Sequence, residues 1–276
     1  MTDRRLTPSN GRVAAMDLQG QVTADLFTTG APALVTVPVA DLWSGPDRQS
    51  RDRQLLWGET VQVFETRKGV CFVQAARDGY VGYVMAAHLG AEAEMTHRVA
   101  VPGTHLYPRP DIKAADTIWL SFGSRLRVVS GSGDFFETDQ GYFVPKPHLR
   151  PLKAYFSDPV TVAQMHFGVP YLWGGNSTLG IDCSGLVQAA LLAAGIACPG
   201  DSDLQQQALG HALPPKTPPM RGDLFFWRGH VAMAVDSDTL IHANAHHMAV
   251  AYEPISEAIN RIANSGGGPV TAHRRL

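Results

Sequence analysis

The segment Pro170-Tyr-Leu-Trp-Gly-Gly-Asn-Ser-Thr-Leu-Gly-Ile-Asp-Cys-Ser-Gly-Leu-Val187 constrains the fold more than any other stretch of this chain. Three glycines, Gly174, Gly175 and Gly180, lead into Cys183. The run from Ser184 to Ala194 then reads as a helix that Gly195 stops. A thiol at a helix N-terminus sits at the positive end of the macrodipole. That position favours thiolate, the form that attacks carbonyls. His230 and His242 follow in strand-like settings. A cysteine with distant histidines is the pattern of a nucleophile and its base.

Length and composition narrow the setting. At 276 residues the chain is expected to form two or three compact units. A hydrophobic content of 45% with 17% charged residues describes an ordinary globular protein, and Gly 27 with Pro 19 points to β-structure in short pieces. A formal net charge of -2 argues against a nucleic-acid partner. The Cys count of 3 leaves one thiol unpaired, and no C-x-x-C pair is present, which argues against a disulfide framework or a structural zinc site. Cys71 lies in a strand-like run and reads as a small core residue; Cys198 reads as packing against a loop. Residues 1–12 carry charge without a following apolar run, so the expected location is the cytoplasm, with no membrane association.

The pattern changes along the chain. Residues 1–30 read as a polar N-terminal extension. Residues 31–92 hold short β-type runs separated by turns at Ser44-Gly-Pro46, Arg67-Lys-Gly69 and Arg77-Asp-Gly79, the grammar of a small antiparallel barrel. Residues 93–152 repeat it: Leu56-Trp-Gly-Glu-Thr-Val-Gln-Val63 aligns with Ser121-Phe-Gly-Ser-Arg-Leu-Arg-Val128. Residues 153–276 begin with a helix at Asp158-Pro159, continue with the cysteine helix and a short helix after Asp201, and end in β-like runs. Helices followed by strands describe an α+β domain.

These residues resemble the NlpC-type cell-wall cysteine peptidases, papain-like enzymes. The carriers are Tyr171-Leu-Trp-Gly-Gly, Asp182-Cys-Ser-Gly-Leu-Val, Gly222-Asp-Leu, Gly229-His-Val-Ala-Met-Ala-Val and Leu240-Ile-His-Ala, in that order within residues 157–276. The two repeats resemble bacterial Src-homology-3-like (SH3-like) domains, the second less closely. The resemblance implies an α+β fold: two small SH3-like β-barrels, then a papain-like catalytic domain.

It also implies roles. Cys183 is the nucleophile, His230 its general base, and His242 the third member that orients His230. Tyr171 places its hydroxyl near the thiol and the developing oxyanion, although a tyrosine beside Trp173 also fits a core position. A carboxylate beside a thiolate would raise the thiol pKa, so Asp182 is expected to point away, into the substrate groove. Family members that cut after γ-D-glutamate, in peptides with a free N-terminal L-alanine, use the Asp-Cys-Ser motif, here Asp182 and Ser184, to hold the substrate ammonium. They add a tyrosine and an acidic residue from the neighbouring barrel. The counterparts here are Tyr80 and Glu59, whose blander readings are a core aromatic and a solvated turn carboxylate.

The expected activity is therefore a γ-D-glutamyl–diamino acid endopeptidase acting on small wall peptides during recycling, without a cofactor. The alternatives are a wall-binding module with a vestigial hydrolase, or a papain-like amidase or acyltransferase. A metal site at His242, His246 and His247 is set aside because no carboxylate or thiolate complement is evident in the sequence. Arg221, Arg228, Arg274 and Arg275 are available for substrate carboxylates, with nothing in the sequence to choose among them.

Overall fold

Two matching turns organise the first half of the molecule. In Leu56-Trp57-Gly58-Glu59 and in Ser121-Phe122-Gly123-Ser124 the glycine takes a positive φ, 75° and 86°. The Glu59 N–H donates to the Leu56 carbonyl at 3.0 Å, and the Ser124 N–H to that of Ser121 at 3.1 Å. Gly58 N–H reaches the Val35 carbonyl at 2.8 Å, and Gly123 N–H that of Val99 at 3.0 Å. Further on, Thr36 N–H donates to His88 and Ala100 N–H to His148. The internal repeat is thus drawn in backbone hydrogen bonds, where side-chain divergence does not obscure it.

The computed structural model describes residues 3–276, and the chain divides into two units at Leu152 and Lys153. In the first unit, seven strands form one sheet: β1 (Ala31–Val35), β2 (Val39–Trp43), β3 (Arg51–Leu56), β4 (Thr60–Arg67), β5 (Val70–Ala75), β6 (Val81–Met85) and β7 (Leu89–Gly90). Their order is β3-β2-β6-β5-β4-β1-β7. Val35, Ala40, Leu42, Leu55, Val61, Val73 and Val84 make its core.

The expected closed barrel is not formed among the described residues. The strand order is open, with β3 and β7 at its edges. The chain breaks between β1 and β2 at Pro38, which has no N–H to give a ladder. The β2–β6 pairing is the single pair Trp43–Tyr83, and bulges interrupt β2 and β4. The second repeat is more fragmented still. It holds three small sheets around Val99, Leu106, Leu120, Leu126, Val144 and Leu149. Trp57 of the first repeat packs into that core, and Arg125 N–H donates to the Trp57 carbonyl at 2.8 Å.

Residues 3–30 differ from the polar lead-in expected of them. Val13–Ala15 pairs in parallel with Leu26–Thr28 and is fully buried. Val13 packs on Phe72 and Val81, and the Arg12 guanidinium grips Glu65 at 2.6 and 3.0 Å. Only three consecutive apolar residues do the sealing, too few to give a periodic signal in the sequence.

The second unit is built on a six-stranded antiparallel sheet. Its strands are β8 (His211–Ala212), β9 (Leu224–Trp227), β10 (His230–Ala234), β11 (Thr239–Asn244), β12 (Ala249–Pro254) and β13 (Ala272–Arg275), in the order β8-β13-β9-β10-β11-β12. Its helices are α1 (Pro159–Gln164), α2 (Cys183–Ala193), α3 (Ser202–Ala208) and α4 (Ile255–Asn264). Asp158 caps α1 by accepting the Val160 N–H at 2.9 Å, with Pro159 at the first helical position.

Helix α2 packs against β10, β11 and α1, and it is buried almost all round, as its apolar sequence requires. Helix α4 was not anticipated. Ile255, Ala258 and Ile262 on one of its faces cover Phe225, Trp227, Ala232, Ala234 and Leu240 of the sheet. Among the described residues no helix is long and apolar enough to cross a membrane.

Candidate active site

Cys183 is the first residue of α2, and Asp182 is its N-cap. One carboxylate oxygen of Asp182, Oδ1, accepts the Gly185 N–H at 2.6 Å and the Ser184 hydroxyl at 2.9 Å. The other, Oδ2, accepts the Gly174 N–H at 3.0 Å. Asp182 is 7% exposed. It therefore caps the helix end and grips the glycine loop, a structural role that comes in addition to the substrate contact expected of it. The unsatisfied N–H groups of a first helical turn explain the preference. The loop and helix come so close that a Cβ at Gly185 would collide with the Gly175 carbonyl.

Tyr171 reaches the same spot by a different route. Residues 170–172 run beside Ile181: Ile181 N–H donates to Pro170 at 3.0 Å, and Leu172 N–H to Ile181 at 3.1 Å. That places the Tyr171 side chain in the field of Cys183 and Asp182. Burial first, then Cys183 and Asp182, push the phenol well above its ordinary pKa. Its hydroxyl stays protonated and available as a donor. Cys183 itself is 7% exposed.

The histidines meet through adjacent strands. His230 opens β10, His242 lies on β11, and His230 Nε2 is 2.9 Å from His242 Nδ1. His242 Nε2 is in turn 3.0 Å from Glu253 Oε2 on β12. Arg261 of α4 closes the row, donating Nε–H to Glu253 Oε1 and Nη2–H to Oε2, each at 2.7 Å. Trp227, opposite His230 in the β9–β10 ladder, lays its ring 5.7 Å from the imidazole.

Burial, then the neighbouring His242 and Arg261, push the His230 pKa down to about 3, against a smaller upward pull from Glu253. The ring is neutral at physiological pH, as a general base must be. For Glu253, burial works upward, but hydrogen bonds and charge from Arg261 and His242 prevail. They hold its carboxyl well below the usual range.

Glu253 and Arg261 are members of this hydrogen-bonded row that the sequence did not disclose. Glu253-Pro254 looks like an ordinary strand end. It joins His242 only through the register that sets Ala251 opposite His242 and Glu253 opposite Leu240. Arg261 was missed with its helix. The apolar positions 255, 258, 259 and 262 were the available signal.

Glu253 is also the carboxylate that the sequence lacked beside His242 and His247. Ligand atoms of these three lie within 4.8 Å of one another. Both nitrogens of His242 are already bonded, and Arg261 covers both oxygens of Glu253. A cation there would have to displace a guanidinium.

Tyr80 and Glu59 lie in the first unit. Tyr80 is 2% exposed and belongs to the core of the seven-stranded sheet. Glu59 is 4% exposed; it receives Arg77 at 2.8 and 3.0 Å and the Leu56 N–H at 3.1 Å. Its charge is neutralised within its own unit, in place of the solvated turn expected. Ser184 spends its hydroxyl on Asp182. Of the four arginines considered for substrate carboxylates, Arg221 pairs with Asp158, Arg275 with Asp223, and Arg274 with the Leu209 and Gly210 carbonyls. Arg228, two residues before His230, stays exposed.

Comparison with known proteins places this geometry. Residues 168–262 match the NlpC/P60 family, and residues 42–89 match a bacterial dipeptidyl-peptidase Sh3 domain. The second unit carries an NlpC/P60 domain. Over 132 residues the chain is 30% identical to peptidoglycan endopeptidase RipB of Mycobacterium tuberculosis, covering 42% of this chain and 53% of that protein.

The chain is similar to dipeptidyl-peptidase 6 of Lysinibacillus sphaericus, 26% identical over 239 residues, which are 77% of this chain and 87% of that protein. It is 27% identical over 206 residues to gamma-D-glutamyl-L-lysine dipeptidyl-peptidase of Bacillus cereus, covering 65% of this chain and 61% of that one. Its fold is similar to the crystal structure of an NlpC/P60 family protein from Bacillus cereus. The TM-score is 0.74 at 22% identity, over 89% of this chain and 99% of that one. The first unit accordingly holds an SH3-like domain, and in the second unit the helix that starts at Cys183 packs against the strands of His230 and His242.

Proposed function

We propose that this protein is a cysteine endopeptidase that hydrolyses the γ-D-glutamyl–diamino acid bond of peptidoglycan peptides carrying a free N-terminal L-alanine. The observation that carries this reading is the His230–His242 hydrogen bond of 2.9 Å, on the strands against which the Cys183 helix packs. The relatives named as dipeptidyl-peptidases support the substrate class.

In this reading His230 takes the Cys183 proton, and the thiolate attacks the γ-glutamyl carbonyl carbon. The oxyanion that forms is met by the Cys183 backbone N–H at the helix start and by the Tyr171 hydroxyl. Collapse of the tetrahedral adduct breaks the C–N bond, and His230 returns the proton to the departing amine. Water then gives a proton to His230 and attacks the thioester, which releases the γ-carboxylate and restores the thiol. His242 keeps the His230 ring in place through both steps.

Substrate selection falls to fewer residues than expected. With Glu59 neutralised by Arg77 and Tyr80 in a core, the ammonium is assigned to Asp182, whose carboxylate remains the nearest anion to the nucleophile in sequence. Arg228 is assigned to the carboxylates of the diamino acid, because the other three arginines are engaged. A ligand limited to short peptides with a free amine fits recycling of wall fragments better than cutting of intact polymer.

The test is incubation with L-Ala-γ-D-Glu-meso-diaminopimelate and its N-acetylated analogue, read by mass spectrometry, with Cys183→Ala as control. Cleavage of the free-amine peptide alone, lost in the variant, is the expected result. Equal cleavage of both would keep the peptidase and remove the amine selectivity. Binding of sacculi without turnover of either peptide would favour a wall-binding module.

A further inference from the structure

We propose that Glu253, clamped by Arg261, is a positioning residue that fixes which nitrogens of His230 and His242 carry protons, so that His230 presents an unprotonated Nδ1 to the thiol. This deepens the peptidase reading and rests on it for its catalytic meaning, but the proton arrangement itself follows from the hydrogen bonds alone.

Glu253 is the fixed end of the row. An ionised carboxylate has acceptors only. Glu253 receives two N–H groups from Arg261, which cannot give up its charge, so the carboxylate is held as an anion. The 3.0 Å contact to His242 Nε2 must then be an N–H donated by His242. A neutral His242 with its proton on Nε2 has a bare Nδ1. The 2.9 Å contact to His230 is therefore a hydrogen bond donated by His230 Nε2–H. A neutral His230 with its proton on Nε2 leaves Nδ1 as its basic nitrogen. That is the edge of the ring turned away from His242, and the one left for Cys183.

Without the Glu253 carboxylate the row has no polarity. Two neutral imidazoles can share their hydrogen bond in either direction, and one of the two directions blocks the base. His242 is fully buried, so water does not set its proton for it. The charged and titratable groups around the pair are His230 on β10, Glu253 on β12, Arg261 on α4 and His247 in the β11–β12 turn, with Cys183 at the start of α2. His247 turns its own Nδ1 to Asn244 Oδ1 at 3.0 Å, so it does not compete for the Glu253–His242 bond.

The lowered pKa of Glu253 supports the same picture. The clamp also keeps the carboxylate from accepting the catalytic proton itself. When His230 becomes imidazolium, the charge is answered through His242 by an anion whose basicity Arg261 has reduced.

Glu253→Gln tests this sharply. Three N–H donors, two from Arg261 and one from His242, would converge on an amide with a single acceptor oxygen. Either an Arg261 bond is lost or the amide donates to His242 Nε2, which reverses the row and protonates His230 Nδ1. The decisive measurement is two-dimensional nitrogen–proton NMR of the histidine rings at pH 7.5, in the full chain carrying Cys183→Ala. It needs no substrate, so it stands even if the substrate assignment fails.

The expected result is a proton on Nε2 of both rings with Glu253 present, and a changed tautomer of at least His242 in Glu253→Gln. Arg261→Met, which leaves the carboxylate in place, is expected to keep the original tautomers. With Cys183 restored, Glu253→Gln is expected to lower kcat by at least about 100-fold at little change in KM, with the roughly 10⁴-fold loss caused by a wrong tautomer in a serine-protease triad as the upper measure. Arg261→Met is expected to move the pH limbs of kcat with a smaller loss. A proton on His230 Nδ1 with Glu253 present, or unchanged tautomers in a folded Glu253→Gln, would overturn the proposal.

Discussion

Asp182 accepts the Gly185 N–H at 2.6 Å and the Ser184 hydroxyl at 2.9 Å, so the residue before Cys183 is also the cap of the helix that Cys183 begins. One side chain then orients α2, steadies the glycine loop through Gly174, and offers negative charge beside the thiol. These roles separate by substitution. Asn keeps one acceptor oxygen for the Gly185 N–H and the Ser184 hydroxyl but carries no charge and sets an NH2 against the Gly174 N–H. Asp182→Asn is expected to lower Tm by less than Asp182→Ala does and to raise KM for the free-amine peptide by at least 10-fold. Asp182→Ala loses three acceptor bonds and is expected to cost about 2 kcal/mol in unfolding free energy. If Asp182→Asn discriminates the acetylated peptide as well as the parent does, the residue is a cap alone.

Tyr171, half-buried, differs from an ordinary packed tyrosine in that its phenol lies in the field of Cys183 and Asp182. Tyr171→Phe deletes one oxygen and leaves the ring to pack. Loss of one oxyanion donor costs on the order of 100-fold in kcat in comparable sites, with little change in KM. Steady-state kinetics with the free-amine peptide reads both numbers. A kcat equal to that of the parent would assign the tyrosine to packing.

What the sequence disclosed and what it hid divide along physical lines. The Cys183 helix was legible because its glycine-rich approach, its apolar run and its terminal glycine are local signals, whereas the cap at Asp182 emerged from the structure. The His230–His242 pairing was legible as an adjacency of two short strands. The repeat was legible at Gly58 and Gly123 because a positive φ restricts residue choice. Glu253 was hidden because its role depends on cross-strand register, and Arg261 because it comes from a helix that follows a proline strand end. The pairing of Glu59 with Arg77 was hidden for a different reason. A carboxylate in a turn reads as solvated unless the partner, eighteen positions away, is known to fold back on it.

Gly185 offers a case in which two magnitudes oppose each other. Alanine is the better helix former by about 1 kcal/mol, so Gly185→Ala in an exposed helix would stabilise. Here the added Cβ meets the Gly175 carbonyl, a backbone atom that cannot swing away. Overpacking of this kind costs about 1–3 kcal/mol, enough to reverse the sign. Gly69→Ala is the natural comparison. Its Cβ meets nothing within 4 Å, and only the positive φ of 77° opposes it. Chemical denaturation is expected to rank Gly185→Ala as the more damaging of the two and to find its activity reduced, since the loop it displaces borders Cys183. The reverse ranking would remove the close approach from the account of the site.

Acid should weaken this fold in two stages, and histidine should act first. His166, buried with Nδ1 on the Val162 carbonyl, and His230 both have pKa values lowered mainly by burial, and His97 and His148 shift the same way. A group whose folded pKa is depressed gives stability that is complete above its unfolded value, near 6.5 for histidine, and is lost as pH falls toward the folded value. Between pH 6.5 and 5 each fully suppressed histidine takes away about 2 kcal/mol, less where water reaches the ring.

The carboxylates held down by arginine, among them Glu253, Asp223 and Asp158, add their loss only below about pH 4.5. Thermal melts from pH 8 to 4 should therefore show Tm level above about 7 and falling by several degrees before any carboxylate titrates. His166→Gln, which keeps a side chain able to bond the Val162 carbonyl, should flatten the first part of that slope. A Tm that holds steady down to pH 5 would mean that these rings titrate freely in the folded state.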